Sequence, residues 1–284
     1  MAIRKGKGLS GSIGKQVHRK WRKLDIVQSR PGRGGVKQTE ETKKASQLFG
    51  ASSRLAFGIR MMLSNFIIPY FDGSSHNRRT SLIKSILEKC FNKENLTCRV
   101  NENSFDRLNG YEFNASSALT RSMKVIPESS YQNGTVTVTF PKLINNQEFI
   151  FPEDTESCII TIGAGAYRLE DQSLSADFKP HSFGVTQQQQ LIESQNFTFA
   201  VPNGCLCIIG ITLHYYHDSK YGKSRINHKL FNPAAICGAF LTPGTFDKDL
   251  SREWEEPSPI KENTFKVTFD RSATTDQASL RSQP

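Results

Sequence analysis

The feature that most constrains the fold is a change in hydrophobic periodicity near Met123. Before it, apolar residues recur every three or four positions over residues 39–66 and 76–91, which is the spacing of amphipathic helices. After it, apolar and polar residues alternate, as in residues 135–140, which is the period of a half-buried strand. The order of these patterns predicts an α+β protein in which a helical hairpin precedes a β domain.

Further strand patterns follow residue 123. Residues 196–201 alternate like 135–140, whereas three runs are apolar on both faces and so predict covered strands: 158–162, 205–213 and 234–241. Residues 265–269 predict a last strand, and weaker runs lie at 149–151 and 174–178. Seven or eight strands separated by turn residues favour an antiparallel immunoglobulin-like β-sandwich. Directly after the run 158–162, Gly163-Ala-Gly-Ala166 indicates a bulge or a close approach of another element to the backbone of a strand.

The formal charge of +10 is confined to the N-terminus. Residues 1–37 contain eleven Lys/Arg and one acid, so the remaining residues carry no net charge. Glycines at positions 6, 8, 11 and 14 predict an arm over residues 1–15 that is flexible when free. Alternating residues in 16–21 and 24–29 predict a β-hairpin closed around Arg22 and Lys23.

These patterns divide the chain into four predicted parts. They are a basic Gly-rich arm and hairpin at 1–37, a helical hairpin at 38–95, the β-sandwich at 96–270 and a mobile tail at 271–284.

The basic arm is the strongest candidate for a binding element. Ten of its residues are candidates for contacting a partner: Lys5, Lys7, Lys15, Arg19, Lys20, Trp21, Arg22, Lys23, Arg30 and Arg33. They predict an assembly or interaction protein that docks on a protein partner or on an adjacent copy in a homo-oligomer. The alternative is nucleic-acid binding, in which the cations neutralise phosphates and Trp21 stacks on a base.

Catalytic signatures are weak throughout the sequence. Residues 6–11 fit GxGxxG, but neither a preceding strand nor a following helix pattern accompanies them, and Leu9 and Gln16 break the phosphate-loop pattern. A third function class, a hydrolase or metal enzyme, would use His214, His217, Asp218 or His228. A strand would place His214 and His217 on opposite faces, so a solvated aromatic loop is the preferred interpretation. We expect no enzymatic activity, cofactor, metal or small-molecule substrate.

Apolar runs and cysteines bear on the location of the protein. No run approaches the roughly 18 apolar residues of a membrane span, and the basic N-terminus lacks the apolar segment of a secretory signal. We therefore expect a cytoplasmic protein. The six cysteines are scattered among apolar residues, which predicts buried, reduced thiols.

An ordered set of short motifs spans about the first 115 residues. In chain order they are Gly8-Leu-Ser-Gly-Ser-Ile-Gly-Lys15, Ser29-Arg-Pro31, Lys37-Gln-Thr-Glu-Glu-Thr-Lys-Lys-Ala-Ser46, Phe49-Gly-Ala-Ser52, Ile59-Arg60, Asp72-Gly73, Asn77-Arg78 and Gly110-Tyr-Glu-Phe-Asn114. This set resembles an uncharacterised bacterial family known as a domain of unknown function. The chain is longer than usual members around residues 214–232 and at the C-terminus. Because that family has no established activity, the resemblance implies no functional residue.

Overall fold

The computed structural model describes residues 2–5, 8–21, 24–30, 32, 38–67, 70, 72–175, 179–246, 254–255 and 268–271. It confirms the α+β class, since several antiparallel sheets accompany a small number of helices. The chain divides into two compact units, Met1–Ala45 and Ser46–Pro284. We call them the N-terminal unit and the second unit.

The helices of the described residues are α1 (Glu40–Leu63), α2 (Ser75–Cys90) and the short α3 (Leu119–Ser122). At the start of α1, the Thr39 hydroxyl accepts a hydrogen bond from the Thr42 N–H, and Glu40 and Glu41 occupy the first turn. A capping hydroxyl and early acidic residues both stabilise a helix start. The two long helices confirm the helices predicted at 39–66 and 76–91, with bounds that differ by a few residues.

The N-terminal unit contains a four-stranded antiparallel sheet in chain order, which we call the N-terminal sheet. Its strands are β1 (Ala2–Lys5), β2 (Gly8–Ile13), β3 (Gln16–Trp21) and β4 (Leu24–Ser29). The hairpin predicted at 16–29 is confirmed as β3 and β4, while Arg22 and Lys23 lie outside the described residues. Within residues 1–15, which the glycines predict to be flexible when free, the described residues form β1, β2 and the turn into β3. Gly14 adopts a positive φ of 55° in that turn, a conformation that glycine takes up readily.

The second unit is built mainly of short antiparallel strands. They are β5 (Phe91–Asn92), β6 (Thr97–Val100), β7 (Glu128–Gln132), β8 (Thr135–Phe140), β9 (Leu143–Ile144), β10 (Ser157–Tyr167), β11 (Leu174–Ser175), β12 (His181–Thr186), β13 (Leu191–Ile192), β14 (Gln195–Ala200), β15 (Leu206–Ser219), β16 (Gly222–Arg225), β17 (Ala234–Leu241) and β18 (Thr268–Arg271). A six-stranded sheet centred on β10 and β15 also contains β11, β12, β16 and β17, and we call it the central sheet. Smaller sheets contain β14, β8 and β7, β13 and β9, and β18, β6 and β5.

The central sheet is covered on both faces. Ile160 and Ile209 pack with Val138 and Phe199 of the three-stranded sheet in one core, while Ile208 packs on the other side with residues of the helices. The predicted close approach at Gly163 and Gly165 is confirmed. A Cβ at Gly165 would lie 2.7 Å from Met62 Cβ, and one at Gly163 would overlap the Phe66 ring. Glycine in β10 therefore makes room for the segment formed by α1 and the turn after it.

Most predicted strands are present. The runs 135–140 and 234–241 match β8 and β17, whereas β10 and β15 extend beyond the predicted runs 158–162 and 205–213. The run 196–201 corresponds to β14, displaced by one residue, and only Leu174–Ser175 of the run 174–178 is described as strand. Phe149 forms only isolated bridges, so the strand predicted at 149–151 is wrong. The finer immunoglobulin-like assignment stays a prediction.

The C-terminal predictions are only partly covered by the described residues. The last strand, β18, reaches Arg271 and pairs in parallel with β6. Residues 265–267 of the predicted strand and 272–284 of the predicted tail lie outside the described residues.

Candidate partner-binding site

The register of β3 and β4 assigns the side chains of the N-terminal sheet to two faces. Arg19 is paired with Ile26 and Trp21 with Leu24, so these four share one face with Val17. We call this the tryptophan face. Directly opposed residues lie on the same side of an antiparallel pair, and successive residues alternate.

The opposite side of the N-terminal sheet carries a different set of side chains. His18 is paired with both Gly11 and Val27, and Lys20 with Asp25. Because residues alternate along β2, Leu9 and Ile13 share the face of Gly11. We call this the histidine face.

Apolar side chains are exposed on both faces. Among residues 9–21 and 24–30, whose side chains the structure describes, none is buried. The exposed fraction is 54% for Trp21 and 61% for Leu24 on the tryptophan face. On the histidine face it is 43% for Leu9, 49% for Ile13 and 53% for Val27. Since an antiparallel sheet ordinarily buries at least one face, this surface is a candidate for contact with a partner.

Five of the ten predicted binding residues are described with their side chains, and all five are exposed: Lys15, Arg19, Lys20, Trp21 and Arg30. The Arg30 N–H donates to the Lys15 carbonyl oxygen at 2.6 Å, which places both residues at the end of the sheet remote from Trp21. Arg19 and Lys20 lie on opposite faces. The sheet therefore does not gather these four cations into one patch.

The other five predicted binding residues are described less fully or not at all. Lys5 belongs to β1, where its backbone pairs with Gly8. Lys7, Arg22, Lys23 and Arg33 lie outside the described residues. Leu24 and Val27 are exposed apolar residues that the predicted set of binding residues does not include. The sequence signal for them is the presence of apolar residues on both faces of the predicted hairpin.

Several motif residues that carry the family resemblance meet in the second unit, at the start of α2. Arg78 lies 2.6 Å from Asp72 and donates to the Glu112 carbonyl oxygen at 3.1 Å. The Ala115 N–H donates to Asp72 at 2.8 Å. Burial acts to raise the pKa of Asp72, but hydrogen bonds from Ser74, Ala115 and Arg78 outweigh it and hold that pKa far below its usual range. These contacts tie α2 to the loop around residue 112.

The same junction contains a buried cation. Arg79 is 2% exposed, and its guanidinium lies 6.0 Å from the centre of the Phe113 ring. Burial lowers its pKa, and the nearby Arg60 adds to that effect. The Tyr111 hydroxyl donates to the Ser75 carbonyl oxygen at 2.7 Å and so closes the junction. The motif residues thus serve packing between α2 and the segment that follows.

His214, His217 and Asp218 of the histidine cluster lie in a strand, so the solvated loop predicted there is wrong. The reason is that β16 pairs with the end of β15 and extends it to Ser219 as a hairpin. His217 Nδ1 lies 3.3 Å from Glu156 Oε2, whereas His214 occupies the opposite face of β15. Burial, with a contribution from Arg225, lowers the pKa of His214 to about 4.

The remaining members of that cluster also have local partners. Asp218 lies 3.3 Å from Lys223, and His228 exchanges backbone hydrogen bonds with Phe231. Within the described part of the chain, no three His, Cys, Asp or Glu side chains converge in a way that could hold a metal ion.

Comparison of this chain with protein-family models, with curated proteins and with solved structures finds no match. Among the described residues, no helix combines the length and the apolar character needed to cross a membrane. The candidate site therefore depends on its geometry alone, and its main feature is the exposed apolar surface of the N-terminal sheet.

Proposed function

We propose that this chain is an assembly or interaction protein that docks on a protein partner, or on a neighbouring copy, through its N-terminal sheet. The observation that carries the proposal is the absence of any buried side chain among residues 9–21 and 24–30 of a regular four-stranded sheet. Burying apolar surface contributes about 25 cal/mol per Å². A partner that covers one face would supply the stabilisation that this sheet lacks among its own side chains.

The composition of the tryptophan face favours a protein as the partner. Trp21 and Arg19 are of the residue types that contribute most to protein–protein binding energy, and Leu24 and Ile26 provide apolar surface beside them. An acidic partner surface would be attracted by the charge of residues 1–37. Two N-terminal sheets placed face to face would repel each other, so a neighbouring copy would be contacted through its net-neutral second unit.

The charge of residues 1–37 and the exposed Trp21 support the alternative, nucleic-acid binding. Phosphate contacts would then carry the affinity, and binding would weaken steeply with salt. The distribution of Lys15, Arg19, Lys20 and Arg30 over two faces and the length of the strands supports this alternative less well than it supports docking on a protein.

The proposal is tested with the double variant Trp21→Ala/Leu24→Ala in the full chain. Tyr221→Ala is the matched control, because Tyr221 is exposed but lies at the tip of the β15–β16 hairpin. Self-association is measured by analytical ultracentrifugation, and partner capture by crosslinking in extracts of the source cells. Loss of about 2 kcal/mol of binding energy should weaken association at least about tenfold in the double variant but not in the control.

Two outcomes would contradict the proposal. The first is association that the double variant leaves unchanged. The second is tight binding of labelled DNA or RNA that falls steeply between two salt concentrations and is lost in Arg19→Gln/Arg30→Gln, which would establish the nucleic-acid alternative instead.

A further inference from the structure

Two of the six cysteines lie side by side where α2 ends. Cys90 is the last residue of α2, and Cys98 lies in β6, which pairs with β5 directly after the helix. The Leu87 carbonyl oxygen is 3.2 Å from Cys90 Sγ and 3.9 Å from Cys98 Sγ. Two thiols that share one acceptor at these distances are close neighbours.

The backbone geometry suits a bond between these sulfurs. Phe91 is the direct partner of Cys98 in the β5–β6 pair, so Cys90 is displaced from Cys98 by a single residue. Directly opposed residues of an antiparallel pair have Cα separations of about 4.5–5.5 Å, and each further residue along a strand adds a rise of about 3.4 Å. A position displaced by one residue therefore lies about 5.6–6.5 Å away, within the span of about 4.4–6.8 Å that disulfides bridge.

The two thiols differ in access to solvent and in acidity. The helices and Ile208 of the central sheet form one core, which we call the helix-side core. Cys98 is fully buried in this core, whereas Cys90 is only partly buried and packs against it. The adjacent Cys98 thiol lowers the pKa of Cys90 and outweighs the opposing effect of burial, while the Cys90 thiol and burial raise the pKa of Cys98. By contrast, burial raises the pKa of Cys158 and Cys207, and that of Cys237 to about 12. Because the thiolate is the reactive form, Cys90 is set apart from these three.

We propose that Cys90 and Cys98 form a reversible dithiol–disulfide site that low-molecular-weight disulfides such as oxidised glutathione convert to the crosslinked form. Cys90 is the attacking thiol, since it combines access with the neighbouring donor. Cys98 is the resolving thiol, since it is buried against Cys90. The spacing of positions 90 and 98 matches no redox motif, so the pair is not recognisable from the sequence.

The exchange proceeds in two balanced steps. The Cys90 thiolate attacks one sulfur of the small disulfide, the S–S bond breaks, and one small thiolate leaves and takes up the proton that Cys90 released. The Cys98 sulfur then attacks the Cys90 sulfur of this mixed disulfide. The second small thiolate leaves with the proton of Cys98. Two protein thiols are oxidised, and one small disulfide is reduced to two thiols.

The crosslink would act where the end of α2 meets a three-stranded sheet. It would join the end of α2 to β6, which pairs with β5 on one side and with β18 on the other. Closing the ring of residues 90–98 restricts the unfolded chain and fixes the β5–β6 turn to the helix. The site is independent of the N-terminal sheet, so this inference stands apart from the proposed function.

The experiment equilibrates the native full chain with reduced and oxidised glutathione over a series of ratios, followed by thiol blocking and trypsin digestion. Cleavage after Lys89, Lys93 and Arg99 isolates Cys90 and Cys98 in the separate peptides 90–93 and 94–99. We expect these peptides to become joined by a disulfide that dithiothreitol reverses, with the loss of two free thiols per chain. Cys98→Ser should instead accumulate a glutathione adduct on Cys90.

Cys237→Ser is the matched control, because Cys237 is also a partly buried cysteine but lies on β17. This variant should form the 90–98 crosslink as the wild type does. Recovery of peptides 90–93 and 94–99 without a link at every glutathione ratio would overturn the proposal. So would a link that forms only in denaturant, because the native geometry would then not be its cause.

Discussion

The N-terminal sheet and the central sheet are both antiparallel, yet they place their apolar side chains in opposite ways. In the central sheet, Ile160 and Ile208 are fully buried, each in a core formed with a different neighbouring layer. In the N-terminal sheet, Trp21, Leu24 and Val27 remain more than half exposed. The comparison shows that a strand pattern fixes the alternation of side chains but not what covers them. The exposed N-terminal sheet is therefore the surface to which the proposed function assigns docking of a partner.

The contrast between the two regions predicts very different losses of stability when the same substitution is made in each. Leu55 of α1 is 2% exposed in the helix-side core, whereas Leu24 lies on the tryptophan face. Leu55→Ala should lower the free energy of unfolding by about 2–5 kcal/mol, because it leaves a cavity in a packed core. Leu24→Ala should lower it by less than about 1 kcal/mol, the range of a cross-strand contact.

Urea denaturation followed by circular dichroism measures both changes. Equal losses of stability in the two variants would show that Leu24 is packed as tightly as Leu55, and the contrast between the sheets would then fail.

A smaller effect is expected where α1 packs on the glycines of β10. In Gly165→Ala the new methyl group would lie 2.7 Å from Met62 Cβ, a separation that forces the helix or the strand to move. We expect a loss of about 1–3 kcal/mol in the free energy of unfolding, measured by urea denaturation. Gly184→Ala, on β12 of the same sheet, is the control because nothing lies within 4 Å of its new methyl group. Similar stabilities for the two variants would contradict close packing of α1 on β10.

Much of the second unit follows from local patterns in the sequence. The helices at 39–66 and 76–91 and the strands at 135–140 and 234–241 are each encoded by one uninterrupted period. The length of β15 cannot be predicted from its own hydrophobic pattern. Its polar end is a strand because it pairs with β16. The pairing of β6 with β18 is also not predictable, because the two strands are short and lie far apart in the sequence. No local pattern in either strand identifies the other as its partner.

The sequence predicts that the candidate site lies within residues 1–37. It does not predict the four-stranded sheet or the exposed apolar side chains of that region. Charge and glycine content pointed to residues 1–37, and Lys15, Arg19 and Arg30 are indeed exposed there. Glycine content predicts freedom of the backbone but not its use in strands, where Gly11 and Gly14 adopt positive φ. The exposure of Leu24 and Val27 could not be inferred, because alternation in a strand does not reveal whether a second layer is present.

The smallest effect that we predict concerns pH and a histidine of the covered sheet. Burial lowers the pKa of His214 from 6.5 to about 4, so the folded chain holds this residue neutral where the unfolded chain binds a proton. The resulting stability is fully present above pH 6.5 and is lost as the pH falls toward 4. His214→Gln should reduce the pH dependence of the free energy of unfolding by about 1–2 kcal/mol across that window. Urea titrations at several pH values compare the variant with the wild type, and parallel pH profiles would show that β15 does not shelter His214 as the covered sheet implies.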